Sequence, residues 1–345
     1  CTESFLQLIW RIFRPIRQYL IAVYYLSNRY IARKKNINPG LFNNEITIID
    51  TFVLNNKSGD EGSIVDGIYK DRYYPGLLHN IGEKEKKSIF FIPTIVGFLN
   101  PIKIFKKIRN CDYNFILHDD FLNLSDYLKI LKHPFDVIKF KFKDVIFDGF
   151  VIDELLYQEN RRNCSDFISL LGILNFQFVK KIHKKGIKVK LMVEWYENQV
   201  MDRGMIKGFH TFYKETPVHG YQGYIISKDL HLYTQPNNSE YHGGAVPDKV
   251  FVTGYGLQQN ILEFCDKVNV DVAPGFRFSK VNRKRVYYPK KNIFTILIGL
   301  PIGLPDCIEM LQLFVNLKHK FDLNKFKILI KPHPTWTDKK IKSLF

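Results

Sequence analysis

Cysteine is scarce in this sequence and badly placed for chemistry. The five residues Cys1, Cys111, Cys164, Cys265 and Cys307 are scattered over 345 positions, and no CxxC pair occurs. That spacing excludes a zinc-ribbon site and supports no disulfide framework, so a reducing cytosol is the expected compartment. No run of 18 apolar residues is free of charge, which excludes a conventional membrane-spanning helix. A secretory leader is not expected either, because the first residues are too charged and lack a small-residue cleavage site. Neither GxGxxG nor a Walker loop is present, so both phosphate-binding fingerprints fall away. Internal repeats and low-complexity tracts are also missing. Beginning at Cys1 and stopping at Phe345, the sequence reads as a fragment at one or both ends.

Acidic residues are in deficit. Lys and Arg number 51 against 34 Asp and Glu, a formal net charge of +17. A surplus of this size points to anionic partners: nucleic acid, acidic lipid or phosphorylated small molecules. The length favours two domains over one.

Positive charge is dense at the start. Residues 1–35 carry Arg11, Arg14, Arg17, Arg29, Arg33, Lys34 and Lys35 against the single acid Glu3, with apolar and aromatic residues between them. The pattern is that of a basic amphipathic helix. It suits an anionic membrane surface, and it suits equally a helix packed on its own domain.

The remainder alternates strands and helices. Glu45 to Leu54 reads as a strand running into a glycine-bounded polar loop that holds Asp60 and Glu61. Ser88 to Ile92 reads as a strand stopped by Pro93, and Asn114 to Leu117 as another. Asp119 and Asp120 then read as helix caps in preference to an acid pair. Asp166 to Lys185 has helical spacing and ends at Gly186, a common stop. A strand over 187–193 leads directly into Glu194-Trp195-Tyr196-Glu197-Asn198. Carboxylates beside an indole at a strand end are candidates for raised pKa values and acid/base work. His219 to Tyr224 reads as loop, followed by a strand at Ile225-Ile226. The prolines from Pro236 to Pro247 mark the expected domain boundary.

A βαβ unit closes the chain. It comprises a strand over 292–298, a loop with Gly299, Pro301, Gly303 and Pro305, a helix over 307–320 capped by Asp306, and the strand Ile328 to Ile330. The expected inward helix face is Ile308, Leu311, Phe314, Val315 and Leu317. Amides at this helix start suit a phosphate. Lys331-Pro332-His333-Pro334 then holds one histidine on a stiff loop at a strand's carboxyl end.

Four stretches in this order carry a resemblance: Glu194 to Asn198, His219-Gly-Tyr-Gln-Gly223, Val246-Pro-Asp-Lys-Val-Phe-Val-Thr-Gly254 and Lys331 to Pro334. Together they resemble bacterial surface-polysaccharide glycosyltransferases of the GT-B fold. The His-Pro element is similar to that of sialyltransferases, Kdo transferases and glycerophosphotransferases. Asp60-Glu61-Gly62 matches the acidic-acidic-glycine motif of the sialyltransferase-like groups. Those families carry a serine- or threonine-rich nucleotide motif some tens of residues after the His-Pro element. The sequence stops at Phe345, so either the fragment lacks that motif or the donor is bound differently, and a CMP-sugar donor is not assigned.

The resemblance implies an α/β, GT-B-like protein with two Rossmann-like domains facing a cleft. The expected divisions are a basic segment at 1–35, an acceptor domain at 36–245 and an incomplete nucleotide-sugar-binding domain at 246–345. It implies a base drawn from Asp60, Glu61, Glu194 or Glu197. Donor contacts fall to Gly254, Gly299, Gly303, Lys331 and His333, with His333 at the phosphate. Asn198 and Gln222 go to the acceptor or cleft. No metal or cofactor is expected, the nucleotide-sugar being a substrate. The implied acceptor is a glycan or lipid-linked glycan, and the implied location is the cytoplasm or the inner-membrane surface. A nucleotide-sugar 2-epimerase of the same fold is the alternative. A nucleic-acid binder ranks last, because no module with basic residues interleaved among exposed aromatics is found.

Overall fold

The computed structural model describes residues 5–32, 43–54, 61–96, 101–225, 234–278, 294–301, 303–320, 322 and 325–333; side-chain placement in the first helix begins at Phe13. The chain forms two compact units, Cys1–Lys280 and Val281–Phe345.

Unit 1 opens with α1 (Phe5–Ala32), then β1 (Ile46–Leu54) and a small hairpin of β2 (Ile64–Val65) and β3 (Ile68–Tyr69). Next come α2 (Glu83–Lys86), β4 (Ile89–Val96), α3 (Pro101–Arg109), α4 (His118–Phe121) and α5 (Leu124–Val137). A second hairpin, β5 (Ile146–Phe147) and β6 (Phe150–Val151), precedes α6 (Asp153–Asn163) and α7 (Phe167–Lys184). The unit ends with β7 (Val189–Trp195), α8 (Val200–Phe212), β8 (Val218–Gln222), α9 (Asn238–His242), β9 (Lys249–Val252), α10 (Gln258–Leu262) and β10 (Asn269–Val272).

Six strands make one wholly parallel sheet in the order β10-β9-β8-β7-β1-β4. This is a doubly wound, Rossmann-like arrangement. The chain leaves β1 for β4 on one side, then returns to β7 on the other side and builds outward from there. The winding therefore reverses between β1 and β7. At such a reversal the connecting loops diverge and leave a crevice at the carboxyl edge, where open α/β sheets bind ligands.

Alternation along β1 sets the two faces. Ile46 and Ile48 are buried in the main core with Leu170, Leu174 and Phe178 of α7 and with Ile206 and Phe209 of α8. Ile49 is buried on the opposite side with Tyr74, Phe91, Trp195 and Tyr221. Helices α7 and α8 meet closely because their contact is made of glycine. A methyl group on Gly204 would stand 1.9 Å from the Gly172 carbonyl oxygen, and one on Gly208 would stand 2.8 Å from Val179. The turn out of α7 uses Gly186 at φ +74°, a left-handed stop that side-chain-bearing residues adopt at a cost.

Helix α1 packs Ala22, Tyr25 and Leu26 into the main core. Arg29 is buried there as well, its guanidinium bonded to Asp119 of α4 at 3.0 Å. Tyr127 of α5 donates to the same carboxylate. The helix also keeps an outward apolar face, with Phe13, Ile16, Leu20 and Tyr24 exposed. Among the described residues no helix is long and apolar enough to cross a membrane.

Several expected elements differ. Pro93 lies inside β4 and does not end it. β4 has only β1 as a neighbouring sheet strand, so a missing amide hydrogen at this edge is tolerated. Asn114 to Leu117 gives a single bridge, Phe91 with Phe115. The stretch read as loop at 219–222 is the buried interior strand β8. Its Gly220 is crowded by Pro247 and Tyr196, so close packing explains the residue and no turn is needed. Ile225 lies outside any strand, and Ile226 lies outside the described residues.

The expected division at 245/246 also shifts. β9 and β10 join the first sheet, Val246 is buried in the main core, and the units part between Lys280 and Val281. The asparagine and proline cluster that suggested a linker instead starts α9, where Asn237 and Glu240 cap each other's amides.

Unit 2 contains β11 (Phe294–Gly299), α11 (Leu304–Leu317) and β12 (Phe326–Lys331), with the two strands parallel. Its small core joins Leu300 and Cys307 with Ile298, Leu311 and Ile330. Ile308 and Val315, expected to face inward, are exposed, and Cys307 is the helix residue buried against the strands.

Candidate functional site

Carboxylates cluster at the carboxyl edge of the sheet beside the β1/β7 reversal. Glu194 is the penultimate residue of β7, and Ile49 of β1 pairs with Val193. Asp50 follows Ile49, so Asp50 and Glu194 come to neighbouring positions on adjacent strands. By alternation both lie on the face of α7 and α8. Glu194 is buried and its Oε2 has no hydrogen-bond partner, whereas Asp50 is half-buried.

Asp202, in the first turn of α8, adds a third carboxylate. It accepts the amides of Glu197 and Gln199 at 3.0 Å each, which closes the loop after β7 and caps the helix.

The charges oppose one another. Burial raises the Glu194 carboxyl well above its usual range, and the charges of Asp50 and Asp202 push it further. Asp50 is raised well above its usual range by desolvation and then by Asp202, against a main-chain hydrogen bond from Trp195. Asp202 is pushed up to about 7, by burial first. No lysine or arginine is among the main influences on Asp50 or Glu194. Adjacent desolvated carboxylates resist ionising together, which is the direction in which all three are pushed. Carboxyls raised in this way suit proton transfer.

Aromatic residues from the opposite face of the sheet border the cluster, close enough that the Asp50 charge, after burial, raises the hydroxyls of both Tyr73 and Tyr74. Tyr73 is stacked on Trp195, and the Trp195 indole donates to Glu197 Oε1 at 2.7 Å. The Arg277 guanidinium lies 5.7 Å from the Trp195 ring. Tyr74 is buried beneath, its hydroxyl without a partner, and Tyr221 donates to the Pro274 carbonyl oxygen at 2.8 Å. Asp71 accepts the amides of Tyr73 and Tyr74, while its second oxygen has no partner, and burial pushes its carboxyl up to about 6. Tyr73, Glu197, Tyr224 and Arg277 are half-buried at this end of the sheet.

The expected acids and cleft residues fall into three groups. Glu194 and Glu197 join the cluster. Asn198 and Gln222 are buried behind it in supporting roles. Asn198, at φ +53°, accepts from Tyr196 and Arg203 and donates to the Gln235 carbonyl oxygen and to Glu240, while Gln222 donates to the Thr234 carbonyl oxygen. Glu61 is exposed in the turn that Gly62 makes after β1, and Asp60 lies outside the described residues.

Gly254 sits two residues past β9 with open space where a side chain would stand. In unit 2, Gly299 has the same open space and pairs with Lys331, which is exposed at the end of β12. His333 is half-buried two residues on. At Gly303 an added side-chain carbon would stand 2.2 Å from the Asp306 carboxylate. The helix start expected to receive a phosphate thus already faces an acid, and like charge opposes a second anion there. Lys331 and His333 remain the cationic candidates.

Sequence reading missed Asp50, Asp71 and Asp202. Asp50 had a signal: it is the one charged residue inside the apolar strand and occupies a core-facing position of its alternation. Among the described residues no group of three His, Cys, Asp or Glu side chains is arranged to hold a metal ion. An open hollow of about 520 Å3 lies at the opposite, amino-terminal edge, near Gly186 to Lys190 and Tyr213, away from the carboxylates. Comparison with protein-family models, curated proteins and solved structures gives no match for this chain.

Proposed function

We propose that the chain is a glycosyltransferase that moves a sugar from a nucleotide-sugar donor to a glycan or lipid-linked acceptor. The observation that supports this reading is the Asp50–Glu194 pair at the winding reversal of a parallel sheet, raised in pKa by burial and mutual repulsion. Asp50, the more accessible of the two, is assigned as the base, with Glu194 as its proton-sharing neighbour. The base assignment thus moves from the Asp60-Glu61 loop to the strand beneath it. In the proposed step the acceptor oxygen passes its proton to Asp50 and bonds to the anomeric carbon. The bond from that carbon to the donor phosphate breaks, and the pair leaves with the phosphate. Within unit 2, Lys331 and His333 are assigned to binding a nucleotide phosphate, whose charge they would offset.

The test has two parts. Nucleotide release and product formation are followed with a panel of CMP-, CDP-, UDP- and GDP-sugars and a glycan acceptor. Asp50→Asn should slow transfer by about 100-fold or more, the usual worth of a positioned base. Melting with free CMP, CDP, UDP and GDP then reports the donor contact, which His333→Ala should weaken. Failure of every donor to turn over, with no melting shift from any nucleotide, would sink the proposal.

The number of carboxylates at one edge favours one rival, a 2-epimerase of nucleotide-sugars, which moves protons at carbon. Incorporation of solvent deuterium into the donor sugar, with no acceptor present, would select that reading.

A further inference from the structure

Both faces of the β5–β6 hairpin are bare. Ile146 pairs with Val151 and Phe147 with Phe150, so each pair occupies one face. Phe147 and Phe150 are 71% and 72% exposed, and Ile146 and Val151 are each 66% exposed. A hairpin this short is marginal in water unless it packs on something. This one is nonetheless held in shape. The Asp153 carboxylate accepts the amides of Asp144 and Val145, each at 2.8 Å, and Asp148 and Gly149 make a tight turn at φ +49° and +79°.

The hairpin is joined to the outward face of α1. Asp153 opens α6, and just past the far end of that helix Ser165 donates to the Pro15 carbonyl oxygen of α1 at 3.0 Å. The α6 segment spans about 16 Å. Phe135 of α5 touches Tyr19 of α1, ring centroids 5.9 Å apart. The α6 segment and the Tyr19–Phe135 contact thus connect the exposed apolar residues of α1, the end of α5 and the hairpin within unit 1.

The charge pattern indicates the occupant. α1 contains no acidic residue, and Arg14 and Arg17 are exposed beside Phe13 and Ile16. Exposed Lys139, Lys141 and Lys143 alternate with Phe140 and Phe142 on the approach to the hairpin. Cations set among bare aromatic and aliphatic side chains suit an anionic bilayer, with lipid headgroups meeting the cations and acyl chains the apolar groups. Asp148 at the turn favours a hairpin lying in the interface over one driven tip-first into the acyl layer.

We propose that α1 and the β5–β6 hairpin together dock unit 1 on an anionic lipid surface, with the hairpin as a second anchor. The inference is independent of the sugar-transfer reading.

Flotation with phosphatidylglycerol/phosphatidylethanolamine vesicles and with phosphatidylcholine vesicles tests it. The protein should float with the first at about 0.1 M salt, far less at about 0.5 M, and poorly with the second. Phe147→Ser/Phe150→Ser should lower the bound fraction about tenfold with an unchanged melting temperature, because those rings are 71% and 72% exposed. Arg14→Gln/Arg17→Gln should weaken binding and flatten its salt dependence. A parent protein that ignores anionic vesicles would overturn the proposal, as would a hairpin variant that floats like the parent. A parent dimer that the hairpin variant converts to monomer would assign the surface to a second copy of the chain instead.

Discussion

Tyr73 lies flat on Trp195, ring centroids 3.8 Å apart and planes 6° from parallel. The pair joins the loop after β3 to the end of β7, beside the carboxylate cluster. Tyr73→Leu keeps apolar bulk and removes the stacking. It should cost about 1 kcal/mol in urea unfolding. The emission of Trp195, isolated by subtraction of a Trp195→Phe spectrum, should move to the red. An unmoved emission would show that Tyr73 is not what keeps water from the indole.

Asp71 gives the fold a definite pH dependence. Its folded-state pKa of about 6 lies above the usual carboxylate range. A raised carboxylate favours the folded state fully below about pH 4, and that contribution disappears as pH rises through about 6. Asp202, at about 7, extends the loss to neutral pH. Asp71→Asn keeps an oxygen for the Tyr73 and Tyr74 amides and cannot ionise. Relative to the parent it should gain stability between pH 4 and 7, by up to about 3 kcal/mol from a shift of roughly two pKa units. Unfolding curves at pH 4.5 and pH 8 measure this. A parent-to-variant difference that stays constant with pH would refute the assignment.

The buried Arg29–Asp119 pair fixes α1 to α4, with the guanidinium also 3.3 Å from His118 Nδ1. Burial and the adjacent guanidinium hold the His118 ring at about 3, so it stays neutral and accepts from Arg29. Arg29→Met leaves a buried carboxylate with no cation and should cost about 3–5 kcal/mol. Removing both charges, as Arg29→Met/Asp119→Leu, should recover at least half of that loss. A double variant no better than the single one would show that packing, and not the unpaired charge, explains the cost.

The α7–α8 contact makes a sharp steric prediction. In Gly204→Ala the new methyl group would meet the Gly172 carbonyl oxygen at 1.9 Å. The helices must separate, at a cost of about 3 kcal/mol. Gly256, with nothing within 4 Å of an added carbon, is the control, and Gly256→Ala should change stability by less than about 0.5 kcal/mol. Equal effects from the two substitutions would contradict the close contact.

Local periodicity alone determined much of this protein. The apolar run before Asn55 made β1, and the 3.6-residue spacing from Phe167 to Ile182 with a glycine after it made α7 and its stop. Likewise the βαβ pattern of the last 52 positions, from Phe294 to Phe345, made unit 2 as far as Lys331. The Glu194-Trp195-Tyr196-Glu197 stretch was legible as a strand end bearing acids, because neighbouring residues carry that signal. Pro93 and Gly220 misled because their usual meaning assumes an exposed chain. An edge position excuses the proline, and close packing against Pro247 and Tyr196 demands the glycine.

The site itself was a tertiary decision. Asp50 and Glu194 are 144 residues apart and meet only because β7 pairs with β1 and not with β4. Asp202 joins them because glycines in α7 and α8 let those helices close on the same face. Strand order is set by which apolar faces can be buried together, a non-local balance that no window of sequence contains. The raised pKa values follow from that burial and from charges brought together by the fold.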